Sequence, residues 1–120
     1  MKNEQFFIKE IKATFNLRKP KSNVPTNIYL VVRIQYKQTK FATGVKVYPS
    51  HWDSQKHEAI INRRYTELDN MNNEIVNNRI EELKTRLNDF KHYICSHPEL
   101  TSEIHTIIKE HIYKGEMEKR

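Results

Sequence analysis

Residues 27–48 have the sequence NIYLVVRIQYKQTKFATGVKVY, in which apolar and polar residues alternate in two successive runs. A period of two places the apolar residues on one face of a β-strand and the polar residues on the other. Ile, Val and Tyr, which are frequent here, favour strands. Because Gln38 and Thr39 separate the runs at 27–37 and 40–48, the pattern predicts a β-hairpin with its turn at these two residues.

A third alternating run, IKEIKATFNLR, occupies residues 8–18. Its apolar face holds Ile11, Ala13, Phe15 and Leu17. The segment KPKSNVPT, with two prolines, separates this run from the next and indicates a loop. Since antiparallel sheets usually bury one face and expose the other, the three runs predict a three-stranded antiparallel sheet with one apolar face.

Three strands alone make a poor core, so a further element has to cover the apolar face. Residues 65–97 carry apolar residues at alternating spacings of four and three, which predicts a long amphipathic helix of about 45 Å. These residues are Val76, Ile80, Leu83, Leu87, Phe90 and Ile94. The sequence SHPEL interrupts the pattern, because proline disfavours helix continuation.

A second, shorter helix is predicted at residues 101–115, packed on the first as a helical hairpin. Thr101 or Ser102 is the expected N-cap, and Gly115 the expected residue after the C-terminus. Its apolar stripe is Ile104, Ile107, Ile108 and Ile112. The predicted fold is therefore α+β: a three-stranded antiparallel sheet in residues 1–64, a long supporting helix in 65–97 and a second helix in 101–115.

The composition limits the class of protein. The chain has 120 residues, of which 37% are hydrophobic, so it supports one domain with a modest core. No apolar run approaches the roughly 20 residues of a membrane span, and the N-terminal segment has no uninterrupted apolar stretch typical of a signal peptide. The single cysteine, Cys95, has no internal disulfide partner, which favours a reducing cytoplasm.

The charge is unevenly distributed along the chain. Residues 1–50 contain 10 Lys or Arg and 2 Glu, and no acidic residue occurs between Glu10 and Asp53. On the predicted sheet the cations sort onto the polar face: Lys12, Arg18, Arg33, Lys37, Lys40 and Lys46. A surface of one sign indicates an acidic partner, and the alternative is a solvated basic surface that only maintains solubility.

Residues for catalysis or metal binding do not form a recognisable pattern. The six histidines lack zinc-finger spacing, Cys95 has no cysteine partner, and no G-x-S-x-G motif is present. The two glycines, Gly44 and Gly115, are too far apart to form a phosphate-binding loop. The sequence predicts no catalytic centre, no metal, no cofactor and no small-molecule substrate.

The basic face is the strongest functional signal, because a cationic sheet can enter the major groove of duplex DNA. Arg33 suits guanine, Asn16 and Gln35 suit adenine, and the lysines suit phosphates. Tyr29 either contacts a sugar or thymine methyl or fills a cross-strand pair. The predicted DNA-binding residues are Lys12, Thr14, Asn16, Arg18, Lys19, Lys21, Tyr29, Arg33, Gln35, Lys37, Lys40, Gly44 and Lys46.

The third strand and the segment that follows it have two features to explain. Gly44 either lets the backbone approach DNA closely or forms a β-bulge. Pro49 is expected to start a short helical turn that brings Trp52 under the sheet.

The runs ATFNLRKPK, IYLVVRI and KFATGVKVYPSHWD together resemble the N-terminal arm-type DNA-binding domain of tyrosine recombinases, such as integrases of Bacteroides-type mobile elements. The resemblance covers about residues 11–60, and the most distinctive part is TGVKVYPSHWD at 43–53. It implies a three-stranded sheet, backed by a helix, that docks in the major groove of arm sites in double-stranded DNA.

The resemblance also implies a larger parent protein in the bacterial cytoplasm. Recombinase catalysis uses an Arg, His and Tyr set on a C-terminal domain that nothing after Trp52 matches, so this chain alone is not expected to be an enzyme. It is expected to be the N-terminal part of an integrase or a stand-alone arm-like protein, with the second helix leading toward a core-binding domain. Other recombinase protomers or downstream domains are further expected partners.

Two alternatives remain open at this stage. The helices could form a protein-interaction module along the apolar stripe from Val76 to Ile94. The sheet could bind RNA, although it offers only Tyr29 in its centre and Tyr48 at its edge, whereas RNA-binding sheets usually display several aromatic residues.

Overall fold

The computed structural model describes residues 11–34 and 37–113. It contains a three-stranded antiparallel sheet in the order β1-β2-β3, formed by Ile11–Leu17, Thr26–Ile34 and Lys37–Val47. The apolar residues of each strand point to one side and are buried there, as the alternation predicts. They are Ile11, Phe15, Ile28, Leu30, Val32, Ile34, Phe41 and Val47. The predicted fold class is confirmed.

The hairpin between β2 and β3 has a different register from the predicted one. Ile34 pairs with Lys37, and Gln38 pairs with Arg33. The predicted turn at Gln38 and Thr39 is therefore wrong, since both residues belong to β3. Their polar side chains suggested a turn, but β2 offers backbone partners opposite them, and pairing satisfies their own backbone groups.

Residues 43–45 of β3 form an irregularity in the sheet. Asn27 pairs with Lys46 and Tyr29 pairs with Ala42, so these three residues lie opposite Ile28 alone. Gly44 has a φ of 83°, which glycine adopts without strain. The Thr43 hydroxyl donates to the Ile28 carbonyl at 2.7 Å and closes the bulge. The structure thus contains the β-bulge that was one of the two explanations of Gly44.

A short 3-10 turn at Pro49–His51 follows the sheet, as Pro49 predicts, and leads into a small hairpin of β4, Trp52–Asp53, and β5, Glu58–Ala59. Trp52 packs against the core but remains half-buried, so it is not enclosed under the sheet. The buried ring of this turn is instead His51, which stacks on Tyr65 with the ring centres 3.8 Å apart.

Helix α1, Glu67–Ser96, buries all six residues of the predicted apolar stripe and also Asn73. Thr66 caps its N-terminus, where the hydroxyl accepts a hydrogen bond from the Asp69 amide at 3.1 Å. The helix ends before Pro98, as predicted.

Helix α2, Ile104–Ile112, is shorter than predicted, because residues Pro98–Glu103 form a 3-10 helix. Thr101 and Ser102 lie within that 3-10 helix, so neither is the N-cap of α2; the Thr101 hydroxyl donates to the Pro98 carbonyl instead. Gly115 lies outside the described residues. At the C-terminus of α2, Arg86 Nη1 donates to the Ile112 carbonyl at 2.7 Å.

One hydrophobic core joins the sheet and both helices. Helix α1 lies against β3 and β5, and α2 packs on α1. The helices therefore cover one face of the sheet and leave the other to solvent. Among the described residues, no helix is both long and apolar enough to cross a membrane.

Candidate nucleic-acid interface

The solvent-exposed face of the sheet, here called the outer face, lies opposite the helices. Residues paired directly across antiparallel strands point to the same side, so the register defines rows of neighbouring side chains on this face. The rows are Lys12–Arg33–Gln38, Thr14–Val31–Lys40, Asn16–Tyr29–Ala42 and Asn27–Lys46. Arg18 extends the last row, since its amide donates to the Asn27 carbonyl at 2.8 Å.

The outer face forms a shallow, elongated depression of about 540 Å³ lined by residues from all three strands. Neighbouring strands lie about 4.8 Å apart, so the face is about 10 Å wide across the strands. Successive rows are about 7 Å apart along the strands, so four rows extend over about 20 Å. The outer face is therefore about twice as long as it is wide.

Cations occupy the outer face. Lys12, Arg18, Arg33, Lys40 and Lys46 are all exposed. Within the described part of the chain, none of them forms an ion pair; the ion pairs between described residues lie on α1, such as Lys84–Glu81 and Arg86–Glu82. Since the sequence contains no acid between Glu10 and Asp53, the strands contribute a field of one sign.

Arg33 has a hydrogen-bonding partner on the outer face. Its Nη2 donates to Gln38 Oε1 at 3.2 Å across β2 and β3. Gln38 was missed as a site residue because it was predicted to lie in the turn. Only the register places it beside Arg33, and the sequence contains no separate signal for it.

The centre of the outer face combines small polar and apolar side chains with one aromatic ring. It consists of Thr14, Asn16, Tyr29, Val31 and Ala42. Asn16 Nδ2 donates to the Thr14 hydroxyl at 3.2 Å, which holds the amide on this face. The centre can therefore approach a partner closely, with an amide and a flat ring available for contact.

A second, smaller depression of about 200 Å³ lies at the loop end of the sheet. Arg18, Lys19 and Lys46 border it together with Ser22 and Asn27. The loop is held in place here, because the Lys19 amide donates to the Thr26 hydroxyl at 3.0 Å. Three cations that border the same depression are suited to bind a phosphate group.

Two predicted residues, Lys37 and Lys21, occupy other positions. Lys37 pairs with Ile34 and therefore belongs to the inner side, so its predicted place on the outer face is wrong. Burial lowers the pKa of His105 below its ordinary value, and the charges of Lys37 and Lys109 lower it further. Lys21 is exposed in the loop but lines neither depression. Gln35 lies outside the described residues.

Gly44 is exposed between Thr43 and Val45 in the bulge. A Cβ added at this position would meet no atom within 4 Å, so the protein itself leaves room for a side chain. The positive φ, rather than a lack of space, is therefore the structural reason for glycine here.

Side chains from α1 and from the end of α2 donate hydrogen bonds to backbone carbonyls of β3. Arg79 Nε donates to the Thr43 carbonyl at 2.8 Å, and Asn72 Nδ2 donates to the Lys46 carbonyl at 3.0 Å. The Tyr113 hydroxyl donates to the Ala42 carbonyl at 3.3 Å. These bonds keep the bulge, and with it Lys46, in one position relative to the helices.

Two histidines pack against aromatic rings, and the cysteine lies in a helix. His57 lies edge-on to Phe15, His97 stacks on Tyr93 with ring centres 4.4 Å apart, and Cys95 is half-buried in α1. Across residues 11–34 and 37–113, no group of three or more His, Cys, Asp or Glu side chains is arranged to hold a metal ion.

A basic sheet face backed by helices is typical of sheet-based DNA-binding domains. The chain matches the family model of the Arm DNA-binding domain over residues 15–97, a range that includes most of the sheet and all of α1. The chain therefore belongs to the Arm DNA-binding domain family, which confirms the resemblance drawn from the sequence. Members of this family are non-catalytic DNA-binding modules. Duplex DNA is therefore the partner of this chain. Comparisons with curated proteins and with solved structures found no match.

Proposed function

We propose that the chain recognises specific arm sites in duplex DNA by placing the outer face in the major groove, as the N-terminal module of a tyrosine recombinase. The observation that carries this proposal is the sorting of charge. Lys12, Arg18, Arg33, Lys40 and Lys46 lie around the outer face with no acidic residue among them, while the acids of the described residues lie elsewhere.

The dimensions of the outer face favour one orientation in the groove. The major groove is about 12 Å wide, so the width of about 10 Å across three strands fits into it. The length of about 20 Å along the strands does not fit across the groove. The strands therefore run along the groove, with β1 and β3 facing its two phosphate backbones.

Position on the face suggests the role of each residue. Lys12, Lys40 and Lys46 lie on the edge strands and are assigned to phosphates, as are Arg18 and Lys19 at the loop end. Arg33, on the central strand, is assigned to guanine, and Asn16 to adenine. Thr14 and Tyr29 contact sugar or thymine methyl groups, and Lys37 is left out of the groove because it lies on the inner side.

The family and the run TGVKVYPSHWD at residues 43–53 support a recombinase as the parent. In this proposal residues 1–64 recognise DNA, 65–97 support the sheet, and 101–115 lead toward a core-binding domain. Strand cleavage belongs to a separate catalytic domain, other protomers are partners at the recombination site, and the protein acts on DNA in the bacterial cytoplasm.

The proposal is tested by fluorescence anisotropy with duplexes selected from a random pool and with scrambled duplexes. Lys46→Ala should weaken all duplexes alike and lower the slope of log K against log salt by about one. Arg33→Ala should reduce the preference for selected duplexes by about 1–3 kcal/mol.

Lys84→Ala is the matched control, because it removes the same charge from the exposed side of α1. It should change neither property. Wild-type binding by both Arg33→Ala and Lys46→Ala would exclude the outer face as the DNA-binding surface. Stronger competition by single-stranded RNA than by duplex DNA would favour the RNA alternative.

A further inference from the structure

We infer that Gln38 is a positioning residue that orients the Arg33 guanidinium toward a guanine in the major groove. This inference rests on the proposed function and adds to it a residue that does not itself recognise the base. Three observations support it. They are the contact of Gln38 with Arg33 across β2 and β3, the positive charge of Lys12 on the other side of Arg33, and the number of Arg33 N–H donors that remain available to a base.

Arg33 lies at the middle of its row, between two different neighbours. Gln38 on β3 accepts a hydrogen bond from Arg33 Nη2 at 3.2 Å. Lys12 on β1 lies directly opposite Arg33 and carries the same charge. Repulsion from Lys12 and attraction to Gln38 act in the same direction, so both favour a guanidinium displaced toward β3.

The hydrogen bond leaves Arg33 able to recognise a base. Arginine has five N–H donors, and the contact with Gln38 uses one donor of Nη2. The remaining donors include neighbouring pairs that match the O6 and N7 acceptors of guanine. Gln38 therefore fixes the plane of the guanidinium without occupying the positions that a bidentate contact requires.

An orienting contact matters because Arg33 is exposed and flexible. A long exposed side chain loses rotamer freedom when it binds, and this loss opposes binding. A partner that already restricts the guanidinium in the free protein reduces the loss. Gln38 is well placed for this task, since it belongs to a paired strand rather than to a loop.

The experiment measures the preference for selected over scrambled duplexes in Gln38→Met, Arg33→Met and the double variant. Methionine keeps the length of glutamine but removes the acceptor. Gln38→Met should lower the preference about three- to ten-fold, the range of a single hydrogen bond, and should leave affinity for scrambled duplexes and the salt slope unchanged. In the Arg33→Met background the same substitution should have no effect.

Two further variants sharpen the test. Gln38→Glu keeps an acceptor for Arg33, so it should retain the preference at the guanine while binding all duplexes more weakly through its negative charge. Gln55→Met makes the same chemical change in the exposed turn between β4 and β5, away from the sheet, and should behave as wild type.

The outcomes separate the inference from the proposed function. If Arg33→Met loses the preference while Gln38→Met keeps it, Gln38 has no positioning role and the proposed function stands. If Gln38→Met weakens binding equally in both backgrounds, or changes the preference at a different base pair, Gln38 contacts DNA itself and the inference is wrong. If Arg33→Met keeps the full preference, the assignment of Arg33 to a base fails, and the inference fails with it.

Discussion

Lys12 and Arg33 lie directly opposite each other across β1 and β2, with both side chains exposed on the outer face. Like charges in this arrangement destabilise a sheet, and no acidic residue among the described ones offsets them. The sheet therefore keeps an unfavourable pair of positive charges at the position of the proposed contact with the negatively charged DNA.

Replacing Lys12 with Thr should stabilise the fold and weaken DNA binding. The change removes the repulsion and adds a residue that favours strands, so the free energy of unfolding should rise by about 0.2–1 kcal/mol at low salt. The gain should shrink as salt screens the pair. The slope of log K against log salt for duplex DNA should fall by about one, since one phosphate contact is lost.

Urea unfolding at two salt concentrations and anisotropy titrations measure these effects. Lys21→Thr is the matched control for stability, because Lys21 lies in the loop and has no strand residue opposite it. A variant at Lys12 that is less stable than wild type would show that the pair is not repulsive in the folded state.

Asn73 should contribute more to stability than any exposed polar residue of α1. It is buried, and its Nδ2 donates to the Ile60 carbonyl at 2.9 Å and lies 3.3 Å from His51 Nδ1. Asn73→Ala leaves the partly buried Ile60 carbonyl without this donor and removes the contact with His51, so the free energy of unfolding should fall by about 2–3 kcal/mol. Asn78→Ala, on the exposed side of the same helix, should change it by less than about 0.5 kcal/mol.

Chemical denaturation of both variants tests this prediction. Equal changes in the two variants would mean that the hydrogen bonds of Asn73 add nothing to stability beyond the helix propensity that alanine brings at either position. A smaller loss in Asn73→Ala than in Asn78→Ala would exclude a structural role for the contact between α1 and the His51 turn.

His105 should make the stability of the domain rise with pH between its lowered pKa and the ordinary value of 6.5. Burial first, then the charges of Lys37 and Lys109, lower the pKa of His105 from its usual 6.5. Between the lowered pKa and 6.5 the unfolded chain binds more protons than the folded one, so the free energy of unfolding falls as the pH decreases through this window. His105→Gln should reduce this dependence.

The position of Lys37 can be measured through the same histidine. Lys37→Gln should raise the pKa of His105 in an NMR titration, because it removes one of the two positive charges near the ring. Lys40→Gln, which removes a charge from the outer face, should leave it unchanged. An equal effect of the two substitutions would contradict the assignment of Lys37 to the helix side.

Lys37 also shows how far the sequence predicts this structure. Alternation correctly places Ile28 and Leu30 on the buried face of the sheet and Arg33 on the outer face, because the period of a strand is a local property. It does not determine where one strand ends and the next begins, and the turn predicted at Gln38 and Thr39 is displaced in the structure. That displacement transfers Lys37 to the inner side and brings Gln38 next to Arg33.

The buried polar contacts were missed for a related reason. The apolar stripe of α1 was predicted to begin at Val76, and Asn73 carries no hydrophobic signal although it lies on the same face. His51, in the turn after Pro49, likewise carries no signal for burial in the sequence. Each is buried because the other supplies a hydrogen-bonding partner, and such pairings between distant segments are visible only in the folded chain.

The register predicts a spacing within the DNA site. Asn16 pairs with Tyr29, which lies four residues from Arg33 on β2, so the two proposed base-contacting rows are about 13 Å apart. Base pairs stack about 3.4 Å apart along the axis, and the path along the winding groove is somewhat longer for each pair. The adenine assigned to Asn16 and the guanine assigned to Arg33 should therefore lie about three to four base pairs apart.

Sequencing of duplexes selected by wild type, Asn16→Ala and Arg33→Ala measures this spacing directly. Each variant should lose preference at one position, and Lys40→Ala should lose none, because a phosphate contact lowers affinity without regard to sequence. Lost positions next to each other would mean that the strands cross the groove instead of following it. Because the rows are fixed by backbone pairing, that result would contradict the orientation of the sheet while leaving its register intact.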